Sequence, residues 1–155
     1  LSLSVVNAIY SYERSGRQVW RDWVRTVQRS GVVSLHDELL PRWFTDQALA
    51  QEIPGAVYMK EALKSFSDTS FEYIANAVIN DLHYSDRIKH IKIPTLIVAS
   101  PDDPGIPRIA SQLSNDMISG SQMEWLSPAH HLAILEHQPA FNKILSKFLD
   151  AQSRN

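Results

Sequence analysis

The chain has 155 residues, of which 44% are hydrophobic and 21% charged, with a formal net charge of -2 and no cysteine. This length and apolar content suffice for one globular domain with its own core. The small net charge indicates neither a nucleic-acid partner nor a membrane partner, and the lack of cysteine excludes disulfides and thiolate metal sites. No apolar run approaches the roughly 20 residues that span a bilayer, and no signal-peptide pattern is present, so we expect a cytoplasmic protein.

The first part of the chain, residues 1–16, predicts a core strand followed by a loop. Residues 1–8 (LSLSVVNA) alternate and then run apolar, which is typical of a strand buried on at least one face. Residues 9–16 are polar and predict the loop. A buried strand needs neighbouring strands, and the chain opens without an initiator methionine. We therefore expect a second polypeptide or an N-terminal segment to complete the sheet.

Residues 17–84 predict a run of short helices with no strand between them. Apolar residues at helical spacing mark an amphipathic helix over 17–30, and Gly31 predicts its C-terminal cap. Asp46 is the predicted N-cap of one later helix, and Thr69 or Ser70 that of another. The later helices are predicted over 35–40, 46–51, 56–66 and 70–82.

The aromatic residues of this helical region divide into two groups. Trp43 and Phe44 lie at a junction between predicted helices, where a large ring can line a pocket as readily as fill a core. The others are interpreted as parts of a small helical core, namely Trp20, Trp23, Phe66 and Phe71.

Residues 85–155 alternate between helix and strand. Residues 95–99 (TLIVA) form a continuous apolar run, typical of a strand that is covered on both faces. Such an alternation predicts an α/β fold, in which helices cover a parallel sheet. The other predicted elements are a short helix after position 85, a loop over 100–107, a helix over 109–120, a strand over 122–126, a closing helix from Pro139, and a polar tail over 151–155.

Two residues of catalytic type follow the strands of this region, Asp103 after the first and His131 after the second. Ligands of parallel sheets bind at these carboxyl ends. An aspartate can fix the tautomer of a histidine that carries a proton between reacting groups. Residue types alone favour a plainer interpretation, with Asp102 and Asp103 as turn residues and His130 and His131 on the surface. A metal site is the least favoured interpretation because no His-x-x-x-His spacing supports it.

Several short motifs follow one another along nearly the whole chain. They are residues 1–8, Trp23, Val27 and Gly31, residues 42–45 (RWFT), 93–98 (IPTLIV), 100–107 (SPDDPGIP) and 129–132 (AHHL), and Glu136. In this order and spacing they resemble the C-terminal half of an α/β-hydrolase, and within that superfamily they are most similar to the 3-oxoadipate enol-lactonases.

The resemblance implies the C-terminal part of an α/β-hydrolase fold: a parallel sheet with covering helices, and a helical lid over residues 17–84 inserted between core residues 1–16 and 85–155. The family's Gly-x-x-Asp-x-x-x-Pro motif selects Asp103 over Asp102, with Ser100 in place of the glycine. A glutamate five positions after the histidine selects His131. The following proline is one position later than in the family, so His130 remains the alternative.

The resemblance also implies a function, which is hydrolysis of an ester or lactone of a small organic acid without a metal or organic cofactor. His131 would be the general base and acid, Asp103 would orient it, and Trp43 would contact the substrate. Arg42 and Arg17 are candidates to bind an anionic substrate.

The family's nucleophile elbow, Gly-x-Ser-x-Gly, does not occur in the sequence. The serine nucleophile is therefore expected on the second polypeptide or N-terminal segment. Two alternatives remain open. One is a non-catalytic ligand-binding module on the same scaffold, and the other is a haloalkane or epoxide hydrolase with an aspartate nucleophile.

Overall fold

A computed structural model describes residues 1–153 of the chain. The strands in this range are β1 (Leu3–Val6), β2 (Thr95–Ala99) and β3 (Gln122–Trp125). The helices are α1 (Arg14–Ser30), α2 (His36–Trp43), α3 (Asp46–Ala50), α4 (Pro54–Ser65), α5 (Asp68–Asp81), α6 (Ser85–Ile88), α7 (Arg108–Met117), α8 (Ala133–Glu136) and α9 (Gln138–Gln152), with a 3₁₀ helix at Val32–Leu35.

The strands form a parallel sheet in the order β1–β2–β3, which confirms the predicted α/β architecture. Every residue of β2 is buried, because a strand pairs with it on each side and helices pack against the sheet. Leu96 and Val98 of β2 pack with Phe148 of α9, and α7 also contacts β2. The three strands run in the same direction, so the loops that follow them lie at one edge of the sheet.

The helices between β1 and β2 enclose an apolar core of their own. Helix α1 packs on α5 and on the 3₁₀ helix, and Trp23, Val27 and Phe71 are buried there. Trp20 is partly buried against the same cluster, as predicted. The prediction for Phe66 is wrong, since this residue is 39% exposed. It is the C-terminal cap of α4, where the extended backbone carries its ring away from the cluster.

Two predicted helix boundaries are wrong. Helix α1 begins at Arg14 rather than position 17, because the backbone N–H of Arg17 already donates to Glu13 O. Helix α2 does not end at Leu40 but continues through Pro41 to Trp43. Proline cannot donate to the carbonyl four residues earlier, which here belongs to the exposed Asp37. Water can satisfy that carbonyl, so the helix tolerates the proline.

The helix caps are partly as predicted. Gly31 has a φ of 75° and its N–H donates to Val27 O at 2.8 Å, which confirms it as the cap of α1. The predicted N-caps of the two later helices, Asp46 for one and Thr69 or Ser70 for the other, are wrong. Thr45 caps α3 by accepting from Ala48 N, and Ser67 caps α5 by accepting from Ser70 N. In both helices the hydroxyl reaches the amide three positions ahead, as an N-cap side chain does.

The last helix is longer than predicted, since α9 extends through Gln152 into the predicted polar tail. Residues 154–155 of that tail lie outside the described residues. None of the helices within residues 1–153 has the length and apolar content that crossing a membrane requires.

Candidate active site

Asp103 and His131 meet at the carboxyl-end edge of the sheet. His131 Nδ1 lies 2.8 Å from Asp103 Oδ2. The Asp103 side chain is fully buried, whereas that of His131 is 37% exposed. A carboxylate can only accept, so Nδ1 carries a proton, and in the neutral form of this tautomer Nε2 has a free lone pair. Nε2 has no hydrogen-bond partner within residues 1–153. The pair therefore offers a base whose tautomer is set by a buried carboxylate.

The loop after β2 holds the Asp103 carboxylate in one orientation. Its Oδ1 accepts from the backbone N–H groups of Gly105, at 2.7 Å, and Ile106, at 3.1 Å, while Oδ2 faces His131. Asp103 is thus a turn residue through one oxygen and the partner of a histidine through the other. Asp102 is exposed and accepts from Ser127 Oγ at 3.2 Å. The turn itself separates the roles of the two aspartates.

The neighbouring histidines face different parts of the molecule. His130 Nδ1 lies 2.8 Å from the carbonyl oxygen of Pro41, in α2. A carbonyl only accepts, so His130 donates to α2 and not to an acid. The structure brings His131, and not His130, to Asp103.

A cavity of about 370 Å³ opens beside His131, between α1, α2 and the loop that carries Asp103. Trp43 lies in its wall, at the place expected of a pocket residue. Arg42 also lines the cavity and stacks on Trp23, with its guanidinium carbon 5.4 Å from the ring centroid. The aromatic side chains of Tyr12, Trp20 and Phe71 also line the cavity. The arrangement can hold a small, partly apolar molecule against His131.

Arg17, the other candidate to bind an anionic substrate, does not line this cavity. Its guanidinium donates to the carbonyl oxygens of Tyr12 and Ile79, each at 3.0 Å, and lies 2.9 Å from His83 Nδ1. These bonds tie the start of α1 to the end of α5. Arg17 therefore holds Tyr12, which lines the cavity, without lining the cavity itself.

Tyr12 is a cavity residue that the sequence analysis missed, because it falls in a segment predicted as loop. Its ring packs on Gly16, where an added Cβ would lie 2.6 Å from Tyr12 Cδ1. Burial raises the pKa of the phenol above its ordinary 10.0, and the negative charge of Asp103 acts in the same direction. A hydrogen bond with Trp20 and the positive charge of Arg42 act in the opposite direction but are outweighed. The phenol is therefore neutral near pH 7 and can donate into the cavity.

Two further residues were missed as members of the site's framework. Asn7 at the end of β1 hydrogen-bonds to the loop that carries His131, and Glu136 joins that loop to Thr45. For Asn7 the signal in the sequence is a polar residue that ends an apolar strand, whereas Glu136 already belongs to the motif that selects His131. In residues 1–153, no group of three or more His, Cys, Asp or Glu side chains is arranged to hold a metal ion.

The chain is similar in sequence to several known proteins. No family model matches the chain. It is 32% identical over 80 residues to a proline iminopeptidase of Lactobacillus acidophilus, covering 52% of this chain and 27% of that protein. It is 26% identical over 132 residues to 3-oxoadipate enol-lactonase 1 of Acinetobacter baylyi, covering 84% of this chain and 48% of that protein.

The structural similarity extends over almost the whole chain. An enol-lactonase from Burkholderia xenovorans superposes with a TM-score of 0.88 at 21% identity, covering 96% of this chain and 56% of that one. The chain has the fold of the C-terminal part of an α/β-hydrolase. The chain spans about half the length of the enol-lactonases it matches, and 27% of the iminopeptidase. Its relatives include hydrolases of lactones and of peptides by name.

Proposed function

We propose that this chain supplies the acid–base half of a serine-type hydrolase that cleaves an ester or lactone of a small organic acid. The observation that carries the proposal is the contact between His131 Nδ1 and the buried Asp103 carboxylate, at the edge of an aromatic cavity. The names of the enol-lactonase relatives support the substrate class, since the match to them covers most of the chain.

In the proposed reaction, Nε2 of His131 takes the proton of the nucleophilic hydroxyl as its oxygen attacks the carbonyl carbon. The ester or lactone C–O bond then breaks, and the leaving oxygen receives that proton from His131. A water molecule then gives a proton to His131 as its oxygen attacks the acyl carbon. The bond between that carbon and the nucleophile breaks, and the nucleophile oxygen receives the proton from His131. Asp103 stabilises the imidazolium that forms in each half of the cycle.

The nucleophile and the oxyanion donors are proposed to come from a second polypeptide or an N-terminal segment. The edge position of β1 supports this, because β1 pairs with β2 on one side only within residues 1–153. An edge strand presents unpaired backbone groups to which another strand can add. With that addition, the regions 1–16 and 85–155 would form the core and 17–84 the lid.

The first test is intact mass spectrometry of the purified protein under native and denaturing conditions. A second polypeptide that is retained natively and released on denaturation would support a two-chain hydrolase. One longer chain that contains this sequence and a nucleophile elbow would support the same catalytic proposal in a single polypeptide. A folded, lone 17.6 kDa chain would contradict both arrangements.

The second test compares His131→Ala with His130→Ala in the complete protein, using aryl esters, a small lactone and a prolyl anilide as substrates. We expect His131→Ala to lower kcat by roughly 10⁴-fold or more, with His130→Ala far less affected. Prolyl anilide as the preferred substrate would favour a peptidase instead. Tight ligand binding without turnover would favour a binding module, and turnover of a haloalkane or epoxide would favour an aspartate nucleophile.

A further inference from the structure

Asn7 occupies a strained and buried position at the end of β1. It is 6% exposed, and its φ of 39° lies in the left-handed region. Its backbone N–H donates to Val98 O at 2.9 Å and so completes the pairing of β1 with β2. Asparagine is among the few residue types other than glycine that adopt this conformation readily. The turn projects the side chain of Asn7 between the loops that follow β2 and β3.

The carboxamide of Asn7 has partners on both of these loops. Its Oδ1 accepts from the backbone N–H of Ser100 at 2.7 Å. Its Nδ2 donates to His131 O at 2.8 Å, to His130 O at 3.0 Å and to Ser100 Oγ at 3.0 Å. The donor end thus faces three oxygens and the acceptor end faces an N–H group. Only a carboxamide, with one acceptor and one donor end, satisfies all of these partners.

Ser100 links the same side chain to the acid. The Ser100 carbonyl oxygen accepts from Asp103 N at 3.3 Å, so Asn7 is one residue removed from the turn that aims the carboxylate. Ser100 also stands where the enol-lactonase motif has glycine, and its hydroxyl is an additional acceptor for Asn7. The loops that hold the acid and the histidine are therefore joined through a single buried side chain.

We propose that Asn7 is a positioning residue for His131, which holds the backbone of residues 130–131 so that the imidazole keeps its contact with Asp103. Asn7 acts through backbone carbonyls and does not touch the substrate. The inference rests on the proposed hydrolase function. Its physical basis is that the His131 ring is anchored by Asp103 only while the main chain on which it stands is also held, and Nδ2 supplies two of the bonds that hold it.

The decisive variant is Asn7→Asp, which keeps the size, the tolerance for a left-handed φ and an oxygen for Ser100 N. It replaces the donor with an oxygen that faces three other oxygens. We expect kcat to fall by about 10- to 100-fold with KM little changed, because a displacement near 1 Å of a catalytic group costs about that much. We also expect the ¹⁵N resonances of the His131 ring to move away from those of the Nδ1-protonated tautomer.

Asn7→Gly is the second variant, which permits the same φ and removes the side-chain bonds without adding charge. It should reproduce the loss in kcat and the change in the ring resonances. Ser100→Ala is the matched control, since it removes one acceptor of Nδ2 and leaves both carbonyl bonds, so its kcat should stay within about threefold of wild type. Should Asn7→Asp fail to fold, Asn7→Gly decides the question.

The outcomes separate this inference from the function on which it rests. An inactive His131→Ala together with wild-type kcat and ring resonances in a folded Asn7→Asp or Asn7→Gly would overturn the role of Asn7 and leave the hydrolase proposal intact. Full activity in His131→Ala would overturn the hydrolase proposal. A drop in kcat in the Asn7 variants with unchanged His131 resonances would indicate general loosening of the fold and would also overturn the positioning role.

Discussion

The carboxylate of Glu136 accepts from both the backbone N–H and the hydroxyl of Thr45, a residue 91 positions earlier in the chain. The N–H of His130 also approaches this carboxylate, at 3.5 Å. Glu136 thus connects the loop that carries the histidines to the junction between α2 and α3. His131 of that loop and Trp43 at the end of α2 both line the cavity.

Backbone bonds reinforce this connection. The N–H of His131 donates to Arg42 O at 3.3 Å, and the N–H of Leu132 donates to Trp43 O at 2.9 Å. The residues that line the cavity from α2 are therefore bonded to the main chain of the proposed base. A shift of α2 at this point would move the proposed base as well.

Glu136→Gln is expected to weaken this junction. The amide presents a donor to Thr45, which already has two donors there, so one polar group loses its partner. We expect the free energy of unfolding to fall by about 1–3 kcal/mol, as measured by urea titration. Thr45→Val alone and the double variant complete a double-mutant cycle. Additive losses would mean that the two side chains do not interact energetically.

Gly55→Ala should separate α4 from α8. A Cβ at this position would lie 2.7 Å from Leu135 Cβ and 2.9 Å from Leu135 O. Helix propensity alone would make the change stabilising by up to about 1 kcal/mol. We expect overpacking to dominate, with a net loss of about 1–3 kcal/mol in unfolding experiments. Leu135→Ala is the control, and it should not rescue the variant because the clashing Cβ and carbonyl remain. A stability equal to or above wild type would show that α4 and α8 move apart freely.

Trp43→Ala tests the cavity wall. Removing the indole takes away apolar contact with a bound substrate, so KM should rise by about 10- to 100-fold, with a smaller effect on kcat. Trp125→Ala is the matched control, because Trp125 lies on β3 outside the cavity wall, with the guanidinium carbon of Arg108 5.0 Å from its ring centroid. It should affect stability more than KM. An unchanged KM in Trp43→Ala would place the substrate elsewhere.

Tyr12 predicts a specific alkaline dependence of stability. Its folded-state pKa is raised above 10.0, first by burial, so the folded protein keeps the phenol proton at a pH where the unfolded chain loses it. This contribution to stability is fully present below pH 10 and is lost as the pH rises through the folded-state pKa. As the pH rises above 10.0, the unfolding free energy of wild type should therefore fall more steeply than that of Tyr12→Phe. Parallel pH curves for the two proteins would contradict the buried, neutral phenol.

Features that depend on local pattern could be predicted from the sequence. The apolar run at 95–99 has the composition of a doubly covered strand, and its alternation with amphipathic helices indicated the parallel sheet. Gly31 was identified as a cap because few other residues adopt a φ of 75° at low energy. Asp103 and His131 were identified as strand-end residues, and strand ends meet at one edge of a parallel sheet whatever the loops between them do.

The tertiary structure alone decided which polar groups are partners. Pro41 lies within α2, where the carbonyl to which it cannot donate belongs to the exposed Asp37, a fact that no periodicity reports. His130 and His131 are adjacent and chemically identical, and only the folded chain directs one towards Pro41 and the other towards Asp103. The bonds of Asn7 and Glu136 span up to 124 positions. No local sequence pattern predicts such pairings, because they depend on the directions in which three separate loops leave the sheet.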